Sequence, residues 1–288
     1  MKTAILTDTN SGLSVEEGEK LGIHVLPMPV IVDGVEHTEG VDIGQQEMFE
    51  AMAAGKAVYT SQPSPGEITA AWERLLGEGA DEVLFLPMSS GLSGVCETSI
   101  VLAKKYGGKV QIVNNHRISA TLLSSALDAL YLTKCGMDAK QVKARLEKSA
   151  FDASIYICVD TLKYLKHGGR VTAAGASLAT AMHLHPVLNI RGGKLDAQCV
   201  VRGEKHIQKT LIRLMEQDLA ERFKYLPADQ ITLNTAGTLT DEAAATEWTA
   251  RVQRAFPQFH VRYQQLSCSI GCHLGPNALG IGMSLIER

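Results

Sequence analysis

Residues 83–94 read VLFLPMSSGLSG and join a run of four apolar residues to a loop rich in hydroxyl groups. The apolar run, residues 83–86, carries no charge and ends at a proline, which is typical of a short strand buried inside a protein. The loop holds three serines close to two glycines, namely Ser89, Ser90 and Ser93. Loops that leave a rigid sheet often carry the functional groups of a protein. This stretch therefore predicts a buried sheet with a candidate site at the end of one strand.

The first half of the chain alternates between strand-like and helix-like segments. Strand-like runs at residues 4–7, 83–86 and 110–113 are separated by helical stretches such as 65–76 and 94–106. This alternation predicts a parallel sheet covered on both faces by helices. We therefore expect residues 1–152 to form an N-terminal α/β domain, a parallel sandwich that carries the hydroxyl-rich loops.

The second half has a different order of strand-like and helix-like segments. Residues 188–190 and 195–201 are strand-like and flank a turn at residues 191–193, which predicts a hairpin. Clustered strands with a hairpin favour an α+β domain with a mostly antiparallel sheet. We expect residues 153–288 to form this C-terminal domain. No linker rich in proline, glycine or serine separates the halves, so we expect them to pack closely.

Length and composition restrict the function classes. The chain has 288 residues, which is enough for two domains of ordinary size. Its formal net charge is −3, and lysine and arginine are not gathered into a stripe. Nucleic-acid binding is therefore disfavoured, because it needs a basic patch to neutralise phosphates. The amino-terminal apolar stretch is too short for a signal peptide, so a cytoplasmic location is expected.

Two other stretches call for a choice between functions. Residues 171–190 contain no charged Asp, Glu, Lys or Arg, but their polar residues argue against a membrane span and favour a buried helix of small residues followed by a strand. Cys268, Cys272 and His273 have a spacing one residue too long for a haem-attachment motif, and no second ligand pair is present. The six cysteines are therefore expected to be free thiols, without a metal site.

Two hydroxyl-rich loops each precede a predicted helix. In TSQPSPGE, residues 60–67, Ser64 is typical of an N-cap and Glu67 of a capping box. In the other loop, Ser93 precedes a helix that begins near Gly94. In a parallel sheet both loops would lie at the carboxyl edge of the strands, where such sheets bind ligands. Helix N-termini flanked by hydroxyl donors favour a carboxylate or a phosphate, but the hydroxyls could equally do no more than cap their own helices.

Ser93 also raises the alternative of a serine hydrolase or esterase. The nucleophile elbow of that class has the pattern G-x-S-x-G, whereas Val95 stands here in place of the last glycine. None of the nine histidines lies in a recognisable partner motif. The phosphate-binding patterns G-x-x-x-x-G-K-[ST] and G-x-G-x-x-G are also missing from the sequence, which disfavours nucleotide binding.

A series of short motifs runs along the whole chain in one order. The most specific are TSQPSPG at 60–66 and SSGLSG at 89–94, and the others are DTNS at 8–11, PMPV at 27–30, DG at 33–34, GVDI at 40–43, LKYLKHGGRV at 162–171, HPVL at 185–188, VRG at 201–203 and HLGP at 273–276. Together they resemble the DegV family, the fatty-acid-binding proteins that partner a bacterial fatty acid kinase. The sequence departs from the usual family pattern at residues 95–97 and 114–116, and at Asn277, which replaces a glycine and tolerates a positive φ.

The resemblance implies a two-domain DegV-type (EDD) fold. A long-chain fatty acid such as palmitate, stearate or oleate would be buried between the domains, with the C-terminal domain closing over it. Thr60 and Ser93 would hold its carboxylate, Arg170 and His273 would lie near the same head group, and Ser61 completes the candidate ligand-binding set. The chain would have no catalytic residue and no cofactor, because a separate fatty acid kinase subunit would phosphorylate the acid to acyl phosphate.

Alternatives remain open at several of these residues. Arg170 follows two glycines and could be a solvated helix end or pair with a carbonyl. His273 beside a Gly-Pro turn could be a core histidine satisfied by the backbone. Arg202 and Lys205 face either the kinase or solvent. A protein of the same fold that binds another anionic amphiphile is a further hypothesis, and the charge-free residues 171–190 are either a wall of the lipid tunnel or an ordinary core helix.

Overall fold

The computed structural model describes residues 2–178 and 184–288. These residues form two main sheets and one small sheet, with helices packed against them. The strands are β1 Thr3–Asp8, β2 His24–Leu26, β3 Pro29–Val32, β4 Val35–Thr38, β5 Val58–Thr60, β6 Glu82–Leu86, β7 Val110–Ile112, β8 Ala153–Cys158, β9 Leu184–Ile190, β10 Asp196–Arg202, β11 Ile231–Gly237, β12 Tyr263–Gln265 and β13 Leu279–Leu285. The α-helices are α1 Val15–Leu21, α2 Gln45–Ala53, α3 Pro65–Gly77, α4 Val95–Ala103, α5 Ala120–Lys134, α6 Ala139–Lys148, α7 Lys163–Gly168, α8 Ala173–Ala176, α9 Ile207–Glu221, α10 Glu242–Ala255 and α11 Cys268–Leu274.

The first main sheet has the strand order β2-β1-β6-β7, and all of its neighbouring pairs are parallel. Every residue of β6 is buried, because helices α3, α5 and α6 pack against this strand. A strand covered on both faces needs an uninterrupted apolar sequence, which is what residues 83–86 supply. The parallel sheet predicted for the first half is confirmed.

The second main sheet has six strands in the order β10-β9-β8-β13-β11-β12. Its neighbours are antiparallel except for the pair β11 and β12, which is parallel. Strands β9 and β10 form the predicted hairpin. Helices α9 and α10 cover one face and bury a core that includes Met215, Phe223 and Trp248. The mostly antiparallel sheet predicted for the second half is confirmed.

A small antiparallel sheet with the order β4-β3-β5 was not predicted from the sequence. Its hairpin turns at Asp33 and Gly34, which have φ values of 49° and 83°. An Asp-Gly pair tolerates these left-handed conformations and is a common hairpin turn. The signal was present in the sequence, but Pro27 and Pro29 made the preceding segment look like an irregular extended run. This sheet supplies the strand that ends at Thr60.

Two local signals can be compared with the structure. Ser64 Oγ accepts the N–H of Glu67 at 3.2 Å, and a Glu67 carboxylate oxygen accepts the N–H of Ser64 at 2.7 Å, which confirms the capping box before α3. Asn277 has the predicted positive φ, at 62°.

Two helices connect the parts of the chain. Helix α5 packs against β1 and β6 of the parallel sheet and also against β11 and β13 of the six-stranded sheet. Helix α11 packs against α2 and β5 from the first half and against α7 from the second. We propose residue 152 as the boundary between two units, because the parallel sheet precedes it and the six-stranded sheet begins just after it. The close packing of α5 and α11 on both units agrees with the lack of a flexible linker.

The interpretation of residues 171–190 is only partly open to comparison. Residues 173–176 form the short helix α8, and β9 begins at Leu184. The strand predicted after the helix is confirmed, but Ala173 and Ala174 of α8 are exposed, so the buried helix is wrong for residues 171–178. Residues 179–183 lie outside the described part of the chain. Within the described residues, no helix is both long and apolar enough to cross a membrane.

Asp8 fastens the end of β1 to the serine-rich loop. One oxygen of its buried carboxylate accepts the N–H of Asn10 at 2.9 Å, and the other accepts the N–H of Met88 at 2.8 Å. Burial raises the pKa of this carboxyl from 3.8 to about 6, although the hydrogen bonds act in the opposite direction. The hydroxyl loop after β6 is therefore anchored by a partly protonated acid.

We predict that the Asp8 carboxyl titrates with a midpoint near pH 6. Because its pKa is higher in the folded than in the unfolded chain, protonation stabilises the fold. That stabilisation is complete below pH 3.8 and is lost as the pH rises through about 6. Carbon NMR of protein labelled at aspartate measures the midpoint, and the Asp8→Asn variant assigns the signal. A midpoint at or below the ordinary value of 3.8 contradicts the prediction.

Candidate functional site

A cavity lies between one face of the six-stranded sheet and the loops that follow β5 and β6. Strands β8, β9 and β13, helix α11 and the start of α5 complete the wall. Most of the lining side chains are apolar and include Ile155, Ile157, Ile190, Leu195 and Ile270. The cavity therefore favours a ligand with a large apolar part.

All five residues predicted for the ligand site line this one cavity. They are Thr60, Ser61, Ser93, Arg170 and His273. The chain brings them from β5, from the loop after β6, from the end of α7 and from α11. Three further hydroxyl residues line the cavity and were not singled out from the sequence, namely Ser119, Thr121 and Ser269.

Thr60 lies on a different sheet from the one predicted. It is the last residue of β5, which pairs with β3 in the small antiparallel sheet. The sequence argument placed it at the carboxyl edge of the parallel sheet, and that placement is wrong. Only the Ser93 loop follows a strand of the parallel sheet. The two loops nevertheless meet, because the Gln62 side chain and the Thr98 hydroxyl on α4 are hydrogen-bonded at 3.2 Å.

His273 lies in the last turn of α11, with its Nε2 atom 3.1 Å from Thr60 Oγ1. Ser267 caps the start of this helix by accepting the N–H of Ile270 at 3.2 Å. Burial, and to a smaller extent the positive charge of Arg170, lower the pKa of His273 from 6.5 to about 4. The imidazole is therefore neutral at pH 7. It bonds to a side chain across the cavity, so the alternative of a core histidine satisfied by the backbone is wrong.

Arg170 is tied to two backbone carbonyls. Its Nε donates to the oxygen of Leu92 at 3.2 Å, and its Nη1 donates to the oxygen of Gly168 at 2.5 Å. This is the carbonyl pairing that the sequence left open. Among residues 2–178 and 184–288, no carboxylate lies within ion-pair distance of the guanidinium. Arg170 therefore brings a positive charge to the cavity without a negative partner from the described chain.

The serine hydroxyls have mixed roles. Ser93 Oγ accepts the N–H of Val95, the first residue of α4, at 3.3 Å, and its hydroxyl proton stays available for another acceptor. Ser61 Oγ donates to the carbonyl oxygen of Gln62 at 3.2 Å. Ser89 is buried and donates to the carbonyl oxygen of Gly192 at 3.0 Å. Of these three serines, Ser61 and Ser89 donate their hydroxyl protons to carbonyl oxygens, whereas Ser93 does not do so within the described residues.

The hairpin turn between β9 and β10 contacts the serine-rich loop, which the sequence did not predict. A methyl group added to Gly91 would lie 2.8 Å from the Cα atom of Gly193, so the loop and the hairpin touch backbone to backbone. His116 Nδ1 lies 3.2 Å from the carbonyl oxygen of Gly192, and its ring stacks on Phe151. The close approach explains glycine at position 91, and a φ of 89° explains glycine at position 192.

Cys268 and Cys272 contribute to the packing of the protein interior. Both are buried on α11, and burial raises the pKa of the Cys272 thiol to about 11. The Cys272 thiol contacts the carbonyl oxygen of Val58 at 3.5 Å. Within the described ranges there is no group of three or more His, Cys, Asp or Glu residues that could hold a metal ion.

Comparisons with known proteins agree with one another. A family model described as an uncharacterised protein of the DegV family matches residues 2–285. A DegV domain-containing protein from Deinococcus radiodurans is 33% identical over 285 residues, which is 98% of each chain.

Solved structures with the same fold carry descriptions of their ligands. One, described as fatty acid binding of a DegV family protein from Thermus thermophilus, is 28% identical with a TM-score of 0.88 and covers 99% of this chain and 100% of that one. Another, a stearic acid-binding protein from Eubacterium ventriosum, is 20% identical with a TM-score of 0.87 and covers 98% of both chains. At 20% identity, the comparison with the Eubacterium ventriosum protein shows a shared fold alone.

We predict that Gly168→Ala displaces the ring of His273. A methyl group at Gly168 would overlap Nδ1 of the imidazole and lie 2.8 Å from its Cε1. The displaced ring loses its bond to Thr60 and gains solvent, so its pKa rises from about 4 toward 6.5, and the free energy of unfolding falls by about 1–3 kcal/mol. Proton NMR titration and urea unfolding measure the two effects. Gly77→Ala, at an open position, is the control, and a pKa that stays near 4 in Gly168→Ala contradicts the prediction.

Proposed function

The chain belongs to the DegV family, as its motifs predicted, and we propose that it binds a long-chain fatty acid in the cavity described above. The observation that carries the proposal is the composition of that cavity. An apolar chamber has the hydroxyls of Thr60, Ser61 and Ser93 at one end, together with Arg170, which has no carboxylate partner among the described residues. The fatty-acid binding described for the Thermus thermophilus protein supports the assignment.

The apolar wall suits an acyl chain. Each buried methylene contributes about 0.8 kcal/mol before the costs of binding, so the tail supplies most of the affinity. The chain needs no directional partners, and the isoleucine and leucine side chains of β8, β9 and α11 provide none. We propose no cofactor and no metal for this site.

The polar end suits a carboxylate. A carboxylate taken out of water is costly unless it accepts hydrogen bonds and faces a positive charge. Thr60 and Ser93 would donate their hydroxyl protons to it, and Arg170 would balance its charge. Since His273 is neutral, its Nε2–H can donate to Thr60 Oγ1 and so direct the threonine proton toward the ligand. Ser61 lies beside Thr60 and lines the same end.

The alternative of a serine hydrolase finds no support in the geometry. Within the described residues, Ser93 Oγ bonds to the N–H of Val95 and not to a histidine. His273 bonds instead to Thr60. A nucleophilic serine needs a base within hydrogen-bonding reach, and Ser93 has none in this arrangement. The hydroxyls therefore hold a ligand rather than attack it.

We further propose that the protein presents the carboxylate to a separate kinase, which forms the acyl phosphate. Thr60, Ser93 and Arg170 are each partly exposed, whereas most of the apolar wall is buried. A bound acid would thus keep its tail inside and its head group close to the surface. The chain would act as a carrier without chemistry of its own, in the cytoplasm where ATP is available to the kinase.

Binding is tested by the affinity for palmitate of the wild type and of the double variant Thr60→Val/Ser93→Ala. Each lost hydrogen bond to a charged group costs about 1.5–3 kcal/mol, so we expect the dissociation constant to rise at least tenfold for each substitution. Thr69→Val, a threonine on α3 outside the cavity, is the control and should bind like the wild type. Wild-type protein that binds neither palmitate nor oleate contradicts the proposal, as does a double variant with unchanged affinity.

Presentation is tested separately with palmitate-loaded protein, ATP and hydroxylamine, which converts acyl phosphate to a hydroxamate. We expect no hydroxamate from the loaded protein alone. With a bacterial fatty acid kinase catalytic subunit added, we expect hydroxamate to form faster than from free palmitate at the same concentration. Equal rates with and without the carrier contradict the proposed presentation but leave fatty acid binding intact.

A further inference from the structure

Strand β13 carries glycine at two alternate positions that line the cavity, Gly280 and Gly282. Successive residues of a strand point to opposite faces of the sheet, so these two share one face. The residues between and beside them, Leu279, Ile281 and Met283, belong to the core on the other face. Glycine in the interior of a central strand weakens it, so its presence calls for a local reason.

Neither the backbone nor the packing requires glycine at position 282. Its φ is not in the left-handed region. A methyl group placed on Gly282 would lie 3.6 Å from Ile155 Cγ1 and 3.7 Å from Thr121 Cγ2, which are ordinary contact distances. Gly280 is more constrained, since a methyl there would lie 3.3 Å from the carbonyl oxygen of Ala236. At Gly282 the missing side chain does one thing, which is to leave space in the cavity.

Two strands show that Gly282 is farther than Gly280 from the polar end. Helix α11, with His273, precedes β13, so the strand starts near the head-group residues and runs away from them. Strand β8 runs the other way, toward α7 and Arg170, and Gly280 pairs with Ile157 while Gly282 pairs with Ile155. Two residues of antiparallel strand span about 7 Å. Gly282 thus lies at the end of the cavity opposite Thr60 and Ser93.

Beyond Gly282 the interior becomes polar. Ser284 follows on the same face of β13 and is fully buried. The buried Arg117 donates to Ser125 Oγ at 3.0 Å and to the carbonyl oxygen of Leu285 at 3.2 Å. A hydrocarbon chain gains nothing by displacing these bonds and would leave a buried cation unsatisfied. The apolar chamber therefore has a defined floor.

We propose that Gly282 sets the length of the acyl chain that this protein accepts, with the terminal methyl group lying against Gly282, Ile155 and Thr121. The inference rests on the proposed function of fatty acid binding. Glycine leaves room for the last part of a long, unbranched tail, whereas a shorter tail ends before it. The ligand class is thereby narrowed to acids long enough to reach from Thr60 to this floor.

The test is native mass spectrometry of the protein after incubation with an equimolar mixture of myristate, palmitate and stearate. In Gly282→Ala the added methyl excludes one or two methylenes of the longest chain, each worth about fourfold in affinity. We expect the ratio of stearate to myristate adduct to fall about tenfold relative to the wild type. Gly77→Ala, the open position at the end of α3, should keep the wild-type ratio.

A second variant guards against misfolding of the first. Ile155→Val removes a methyl group from the other side of the floor and should raise the same ratio. A ratio that stays within twofold of the wild type in a folded Gly282→Ala protein overturns the inference, as does an equal loss of all three adducts. Wild-type protein that takes up none of the three acids overturns the proposed function itself, so the two failures are distinguishable.

Discussion

The hydrogen bond between Thr60 Oγ1 and His273 Nε2 joins residues 213 positions apart and closes the polar end of the cavity. This bond depends on the position of α11, and Glu39 fixes the first turn of that helix. The buried Glu39 carboxylate accepts hydrogen bonds from the Thr9 hydroxyl, at 2.7 Å, and from the N–H of Cys268. The same helix packs on elements of both halves of the chain. The polar end of the cavity therefore forms only when the first and last parts of the protein are folded together.

The division of labour within the cavity follows from solvation. An acyl tail is driven into an apolar chamber by the release of water and needs only shape from the protein. A carboxylate needs hydrogen-bond donors and positive charge, which Thr60, Ser93 and Arg170 would supply at one end. Arg170 keeps its guanidinium in place through the carbonyl oxygens of Leu92 and Gly168 rather than through a carboxylate, so its charge stays uncompensated by the described chain.

Much of the fold and the membership of the site could be predicted from the sequence, because apolar runs such as 83–86 and caps such as Ser64 act locally. The motif order identified five of the residues that line the cavity. The position of Thr60 on the small antiparallel sheet could not be predicted, since the pairing of β5 with β3 is a long-range contact. Strand β13 was missed because two glycines weaken its pattern, and those glycines are the ones that face the cavity.

A fatty acid in the cavity is detected most directly by native mass spectrometry of the protein as purified, followed by organic extraction and lipid analysis. We expect one adduct per chain with the mass of a long-chain fatty acid, released on denaturation. A protein that is empty as purified and stays empty after incubation with palmitate or oleate does not bind fatty acids, and the proposed function is then wrong.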